Sequence, residues 1–463
     1  MQTDSEALRA LDDASLDRKH INVTVLAALG SFIDGYDLFI LSAALLLIVP
    51  RFHLNAVQVG YLGSGLLAGS FVGALIFGAV ADRLGRRVVF LIDLLGFVLF
   101  AILAAVSQNL VELLIFRILM GFAIGADMPT ATVMIAENSP RRYRGRLTQN
   151  MIVFWFTGGV CAGIVGLLLL NFGGASAWRW MLLSGIVPAI ILLILRRGVP
   201  ETPRWLLDRQ QRDTNKQKSI AEVKEAATKL GVQIGTEGNL SKGISTSPSP
   251  APAWNKRLIG RAAFLAIGWL VLGIPATGTF LYTPTILHGL GLTSKTGSVE
   301  YAIGGFVVYV ITALIVSLWL MEKWGRRPIL IFFVSVSCLC WVALIFLGTS
   351  GVAPLIVALV TLAGATNLAC GSAFWVLSSE VFPTAIRGFG SGIVISGGRL
   401  GGVISTFIFP SLIADLHLEG TAILMAVLLV ILAATGLLLT PETRGKSLEE
   451  ISGVEPNPAL ATN

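Results

Sequence analysis

Apolar residues in this chain come in blocks, not stripes. Segments such as 66–80, 88–106, 152–170, 181–195 and 422–439 are hydrophobic at most positions. A water-exposed helix instead shows an apolar stripe at a 3.6-residue period. Each block lies in a stretch close to the ~20 residues that cross a bilayer. The pattern predicts spans at 22–49, 57–81, 88–107, 110–136, 146–170, 178–196, 258–287, 301–321, 328–348, 352–378, 388–414 and 420–440. The first apolar run is too long for a cleaved signal peptide and reads as a retained anchor. Polar tails at 1–21 and 441–463 flank bundles at 22–196 and 258–440. The one long hydrophilic stretch, 197–257, is expected to be a linker, with an amphipathic helix at 216–230 and a Pro/Ser run at 245–252 that lacks the apolar content to fold.

Composition supports the membrane reading. The chain is 54% hydrophobic and 13% charged, against roughly 25% charged residues in a soluble domain. The 34 basic residues sort by side. With both termini cytoplasmic, only Arg51, Arg179 and Lys295 fall in external loops, and Arg117 and Arg399 lie inside spans. The net charge of +7 is therefore a topology signal, and a nucleic-acid partner is not expected. The four cysteines all sit in apolar runs, so buried thiols are expected, with no disulfide or metal site.

Three short charged motifs each occur twice, roughly 240 residues apart. Gly78-x-x-x-Asp82-Arg83-Leu84-Gly85-Arg86-Arg87 returns as Glu322-Lys323-Trp324-Gly325-Arg326-Arg327. Glu137-x-x-Pro140-x-x-x-Arg144-Gly145 returns as Glu380-x-x-Pro383-x-x-x-Arg387-Gly388, and Pro200-Glu201-Thr202-Pro203-Arg204 as Pro441-Glu442-Thr443-Arg444. The chain is thus two related halves, which makes the expected fold an all-α membrane protein of twelve transmembrane helices in two pseudo-symmetric six-helix bundles.

These residues resemble the major facilitator superfamily of secondary transporters, in its sugar-porter and metabolite:proton symporter branch. The resemblance runs from Arg18 to about Glu450. It implies alternating access about a central cavity. It also gives the repeated charges a role as a cytoplasmic gate: Asp82, Arg86, Arg87, Glu137, Arg144, Glu201 and Arg204 in one half, with Glu322, Arg326, Arg327, Glu380, Arg387, Glu442 and Arg444 in the other.

Ionisable residues inside spans are functional candidates by default. Asp34 and Asp37 stand at i, i+3 on one face of the first span, and Arg117 and Asp127 lie in the fourth. A carboxylate that alternates between a proton and an arginine partner can couple proton entry to a conformational change. Proton symporters of this family are similar in setting the Asp of Gly35-Tyr36-Asp37 opposite the Arg of Arg117-x-x-x-Gly121. Asp34 and Asp127 are the further proton-coupling candidates. Asp93 and Glu112 lie near span ends and are expected to reach water or headgroups.

Arg399 sits in the eleventh span within Ser396-Gly397-Gly398-Arg399-Leu400-Gly401-Gly402, with no acidic residue of its own helix at i±3 or i±4. A buried guanidinium suits a carboxylate or phosphate, and the position is similar to the anion-binding arginine of organic-anion carriers. Trp375, five residues before Glu380, resembles the tenth-helix tryptophan of sugar porters. Their paired sugar-binding glutamines would fall at Trp269 and Leu270, which accept no sugar hydrogen bond. Cavity candidates are Arg399, Trp155, Thr277, Thr279, Tyr282, Asn367 and Trp375. The expected function is a proton-coupled symporter importing a small organic solute, an organic or aromatic acid favoured. It needs no cofactor beyond the coupling proton and works as a monomer in the plasma (inner) membrane. The alternatives are a sugar or polyol porter, a facilitative uniporter or exporter, and a non-transporting membrane sensor. No His/Glu metal cluster or Ser/His constellation suggests an enzyme.

Overall fold

A computed structural model describes residues 14–140, 142–199, 201–210, 254–289, 295–347, 353–383, 386–446 and 450–451. The expected helix at 216–230 and the Pro/Ser run at 245–252 lie outside them. Among the described residues, eleven helices are long and apolar enough to cross a membrane. They include helix 1 (Arg18–Phe52), helix 2 (Ala56–Leu84), helix 3 (Arg86–Val106) and helix 5 (Arg144–Phe172). Helix 6 runs Ala177–Ser184 and Ile186–Arg196. Helices 7, 9 and 10 are Lys256–Gly289, Arg326–Leu347 and Ala353–Glu380. Helix 8 is Lys295–Ile315, continued through a π turn, Val316–Leu320, to Met321–Trp324. The helical stretch Arg387–Leu439 holds helices 11 (Arg387–Phe409) and 12 (Glu419–Leu439).

The remaining pass, helix 4, departs from the uninterrupted span expected at 110–136. It is two pieces, Leu110–Ile124 and Asp127–Asn138, joined by a turn at Gly125 and Ala126. Pro129 explains the break: it has no N–H for the carbonyl of Gly125, and its ring would clash there. The Ala126 N–H turns back to the Ala123 carbonyl at 3.2 Å.

Helix 1 packs on helix 5, and helices 2 and 3 pack on helix 4. In the other half, helix 7 packs on helix 11 and helix 9 on helices 10 and 12. Across the halves, helix 2 meets helix 11 and helix 5 meets helix 8. The side chains facing outward are apolar, Leu99, Ile191, Trp319, Phe346 and Leu438 among them, as an integral membrane protein requires. Glycine is essential at two kinds of place. At Gly121 a Cβ would strike the backbone of Leu66, so it lets helices 2 and 4 approach closely. Gly85 and Gly325, at φ 97° and 93°, make the same turn in each copy of the first motif, each against the carboxylate of Glu201 or Glu442.

Candidate functional site

The repeated motifs fold into two matched clusters. In the first, Arg86 Nη2 lies 3.0 Å from Asp82 Oδ1 and 3.3 Å from Glu137 Oε1. Thr202 donates to Glu137 Oε2 at 2.6 Å, and Arg204 donates to the Glu137 carbonyl at 2.8 Å. In the second, Arg326 meets Glu380 through two nitrogens, at 2.8 and 3.2 Å, and Glu322 at 3.3 Å. Thr443 donates to Glu380 Oε2 at 2.6 Å, repeating Thr202. Glu201 accepts the Arg87 N–H, and Glu442 accepts those of Arg326 and Arg327. Burial pushes the Glu201 carboxyl above the usual carboxylate range, against the opposing pull of Arg86 and of backbone N–H groups.

Four contacts of these clusters cross between the halves. Asp82 accepts the N–H groups of Gly388 and Phe389 at 3.0 and 2.8 Å, so it caps the N-terminus of helix 11. Glu322 accepts the Arg146 N–H at 3.0 Å, in the first turn of helix 5. Arg387 lies 3.0 Å from Glu137 Oε1. Arg144 and Arg387 each bond a backbone carbonyl near the glutamate of their own motif, but at different positions, Ala136 and Phe382. Arg444 differs from Arg204: it is exposed, whereas Arg204 is buried. The second copy of the motif lacks the second proline, so Arg444 stands in register with Pro203. Arg87 and Arg327 are exposed and donate to carbonyls at the ends of helices 6 and 12, Arg197 and Leu437.

Between the halves lies a cavity of about 120 Å³. Its lining includes Trp155, Trp269, Thr277, Asn367, Trp375 and Arg399, and Arg399 is the one charged side chain in that lining. Thr279 and Tyr282, also expected there, turn away: Thr279 bonds the Pro275 carbonyl and Tyr282 the Thr406 carbonyl. Helical spacing from Thr277 carries them past the cavity wall. Trp269, where a sugar-binding glutamine was sought, lines it, 5.5 Å from the ring of Trp375. Trp375 Nε1 donates across the halves to Thr132 at 2.8 Å. Asn367 Oδ1 accepts from Ser337 at 2.9 Å, which fixes the amide and leaves Nδ2 without a partner.

The buried charges pair as follows. Arg117 Nη1 meets Asp37 Oδ2 at 2.8 Å, both fully buried, as the motif resemblance led one to expect. Arg399 Nη2 meets Asp34 Oδ2 across the halves, and the same oxygen accepts from Trp155 Nε1 at 3.0 Å. Asp127 points away from the cavity to Arg196 Nη1, at 2.6 Å. Asp93 corrects the expectation of a residue in reach of water: it is 3% exposed, 3.8 Å from Arg196. Arg196 was hidden in the sequence because a basic residue closing a span reads as an interfacial anchor. Asp93 carried a signal, a lone acid well inside the apolar run of helix 3.

A family model described as "Sugar (and other) transporter" matches residues 23–454. The chain is 31% identical to "Putative metabolite transport protein YaaU" of Escherichia coli (strain K12), over 96% of this chain and 97% of that protein. It is 30% identical to "Glucose transporter GlcP" of Staphylococcus epidermidis, over 93% of this chain and 96% of that one. Identity to "Niacin transporter NiaP" of Acinetobacter baylyi is 26%, over 95% and 98%. Among solved structures, the proton:xylose symporter XylE superposes with a TM-score of 0.77 at 23% identity, covering 94% of this chain and 98% of that one, a likeness of fold.

Proposed function

Since the chain belongs to the sugar (and other) transporter family of the major facilitator superfamily, we propose that its cavity takes a small organic acid, with an aromatic carboxylate favoured. The protein is a multi-pass membrane transporter of sugars or other metabolites and not an enzyme. The observation that carries the acid reading is Arg399, the one charged side chain lining a cavity otherwise walled mainly by apolar and aromatic groups. A polyhydroxylated sugar wants many hydrogen-bond partners, and here Trp155 and Trp375 have already committed their N–H groups. The cavity's size, near the ~150 Å³ that accommodates a benzene ring, suits one aromatic ring.

In this reading Asp34 is a placeholder for the substrate. When Asp34 takes a proton it releases the guanidinium, and an incoming carboxylate binds in its place. Asp37 and Arg117 form a second carboxylate–guanidinium pair that a proton can break. Proton and anion then move inward together, in the plasma (inner) membrane, with the repeated clusters as the cytoplasmic gate. Niacin, in the name of one relative, is an aromatic carboxylate; glucose and xylose, in the names of two others, are the rival class.

Uptake into reconstituted vesicles, with and without an inward proton gradient, separates the two. Benzoate or nicotinate should accumulate with the gradient, and Arg399→Ala should lower that uptake at least 30-fold. The figure follows from about 2–5 kcal/mol for a desolvated charge pair at ~1.4 kcal/mol per tenfold. Acid uptake that survives Arg399→Ala, or accumulation of glucose or xylose alone, sinks the proposal.

A further inference from the structure

Behind the cavity, in the first half, two carboxylates share one cation. Asp93 comes from helix 3, Asp127 opens the second piece of helix 4, and Arg196 ends helix 6. All three nitrogens of Arg196 are engaged: Nη1 is on Asp127, Nε and Nη2 are on the Leu26 and Ala27 carbonyls at 3.0 and 2.8 Å, and its plane covers Phe90 at 4.1 Å. Asp93 Oδ1 takes the Leu94 N–H. What remains is one oxygen on each acid, Asp93 Oδ2 and Asp127 Oδ2, both buried and both without a hydrogen-bond partner. Both acids address the same nitrogen: Arg196 Nη1 lies 2.6 Å from Asp127 Oδ1 and 3.8 Å from Asp93 Oδ2. Helix 1 supplies the two carbonyls and the space beside Gly30, where a Cβ would strike both Asp127 and Arg196. Asp34, one turn further along helix 1, is bound to Arg399 and Trp155.

Charge counting decides what can fill the gap. Two ionised acids and one guanidinium leave a net negative charge in a buried site, with one oxygen of each acid unbonded. Carboxylates that share a site this closely do not both ionise. One proton between them removes the excess charge and satisfies both oxygens. We propose that Asp93 and Asp127 hold one proton between them, with Arg196 balancing the remaining charge, as a proton site apart from Asp37–Arg117 and from the cavity.

The site occupies the break in helix 4, and residue 128, the next along, contributes the sulfur that lies 2.8 Å from Arg399 Nη2. Loss of the shared proton at alkaline pH therefore places an unbalanced charge one residue from the cavity wall. The inference is independent of the solute, and no sugar- or acid-specific result bears on it.

Infrared difference spectra of the purified protein, read at the protonated-carboxyl C=O stretch, test it. At neutral pH the wild type should show a band component that disappears in Asp93→Asn and also in Asp127→Asn, since either substitution leaves one acid to be neutralised by Arg196. If one variant fails to fold, the other still carries the test. The component should persist in Asp37→Asn. As pH rises it should fade in the wild type, and the thermal midpoint should be lower once the shared proton is lost than at neutral pH. Asp93→Asn, neutral at every pH, should lose that part of the drop. A spectrum unchanged in the folded Asn variants, or an alkaline drop equal in wild type and Asp93→Asn, overturns the proposal.

Discussion

Asp82→Asn should open the motif side of the transporter. Asp82 reaches across the halves to accept two N–H groups in the first turn of helix 11, at 3.0 and 2.8 Å, while its own side chain is only 9% exposed. Two charge-assisted bonds contribute about 1.5–3 kcal/mol each, with a further favourable term from a negative charge at a helix N-terminus. An asparagine keeps one neutral acceptor and turns an NH2 group toward the other N–H. The net loss is about 2–4 kcal/mol. At ~1.4 kcal/mol per tenfold, the open-to-closed ratio on this side should rise about 30- to 1000-fold. The Trp205 bond to the Asp82 backbone carbonyl is left alone, so local folding should hold.

A thiol in the cavity reads this directly. With Cys161, Cys338, Cys340 and Cys370 replaced, Ala276→Cys places a reporter in the cavity wall. Labelling by a membrane-impermeant maleimide, applied from the motif side in oriented vesicles, should be at least tenfold faster in Asp82→Asn. Glu112→Gln, at the opposite end and bound among the described residues to Gln108 and Asn109 in its own helix cap, is the control. A folded Asp82→Asn protein that labels at the parent rate refutes the lock, because the energy worked out above has then gone somewhere other than the closed state.

Two further outcomes follow from the buried pairs and the packing. Asp37→Asn removes the proton-accepting half of the Asp37–Arg117 pair, so gradient-driven accumulation in vesicles should be abolished while counterflow exchange continues; accumulation that persists excludes Asp37 as a proton carrier. Gly121→Val drives a side chain into the Leu66 backbone and should cost about 1–3 kcal/mol or more, seen as a lowered thermal midpoint in detergent. Gly304→Ala, which meets open space inside helix 8, should not lower the midpoint.

What the sequence made legible was whatever depends on local pattern. Apolar blocks of bilayer length located the spans, and motifs at one spacing located both charge clusters, because each cluster joins residues whose order the repeat preserves. The Asp37–Arg117 pairing was legible through a motif resemblance. Partners chosen by tertiary packing were not. Asp34 and Arg399 stand 365 residues apart and in different halves, so no spacing could join them. Arg399 was singled out as a lone cation seeking an anion, and the closed structure fills that need internally. Asp127 stands beside Asp34 in the sequence as an acid inside a span, which says nothing of direction around a helix. The Pro129 break then turns it toward Arg196. Asp93 was misjudged because distance from a span end does not tell whether a neighbouring helix covers it.

The matched clusters and the unmatched acids also constrain how the molecule moves. Asp82 caps helix 11 and Glu322 caps helix 5, each from the opposite half. Neither cap can be kept while the halves separate on that side, so both break in one step and four partners, two carboxylates and two helix starts, become hydrated together. Separation exposes them to water, which can hydrate each freed group. Arg399 and Asp34 also join the halves, but at the buried wall of the cavity, where Asp34 is 1% exposed and water cannot readily take over a broken bond. Parting them leaves two buried charges to be satisfied, and a proton on one with a carboxylate on the other does so for both. Under the proposed function, the same rocking motion would be served by water at the motif side and by proton and cargo at the centre, which would let the outer charges be repeated and the inner ones not.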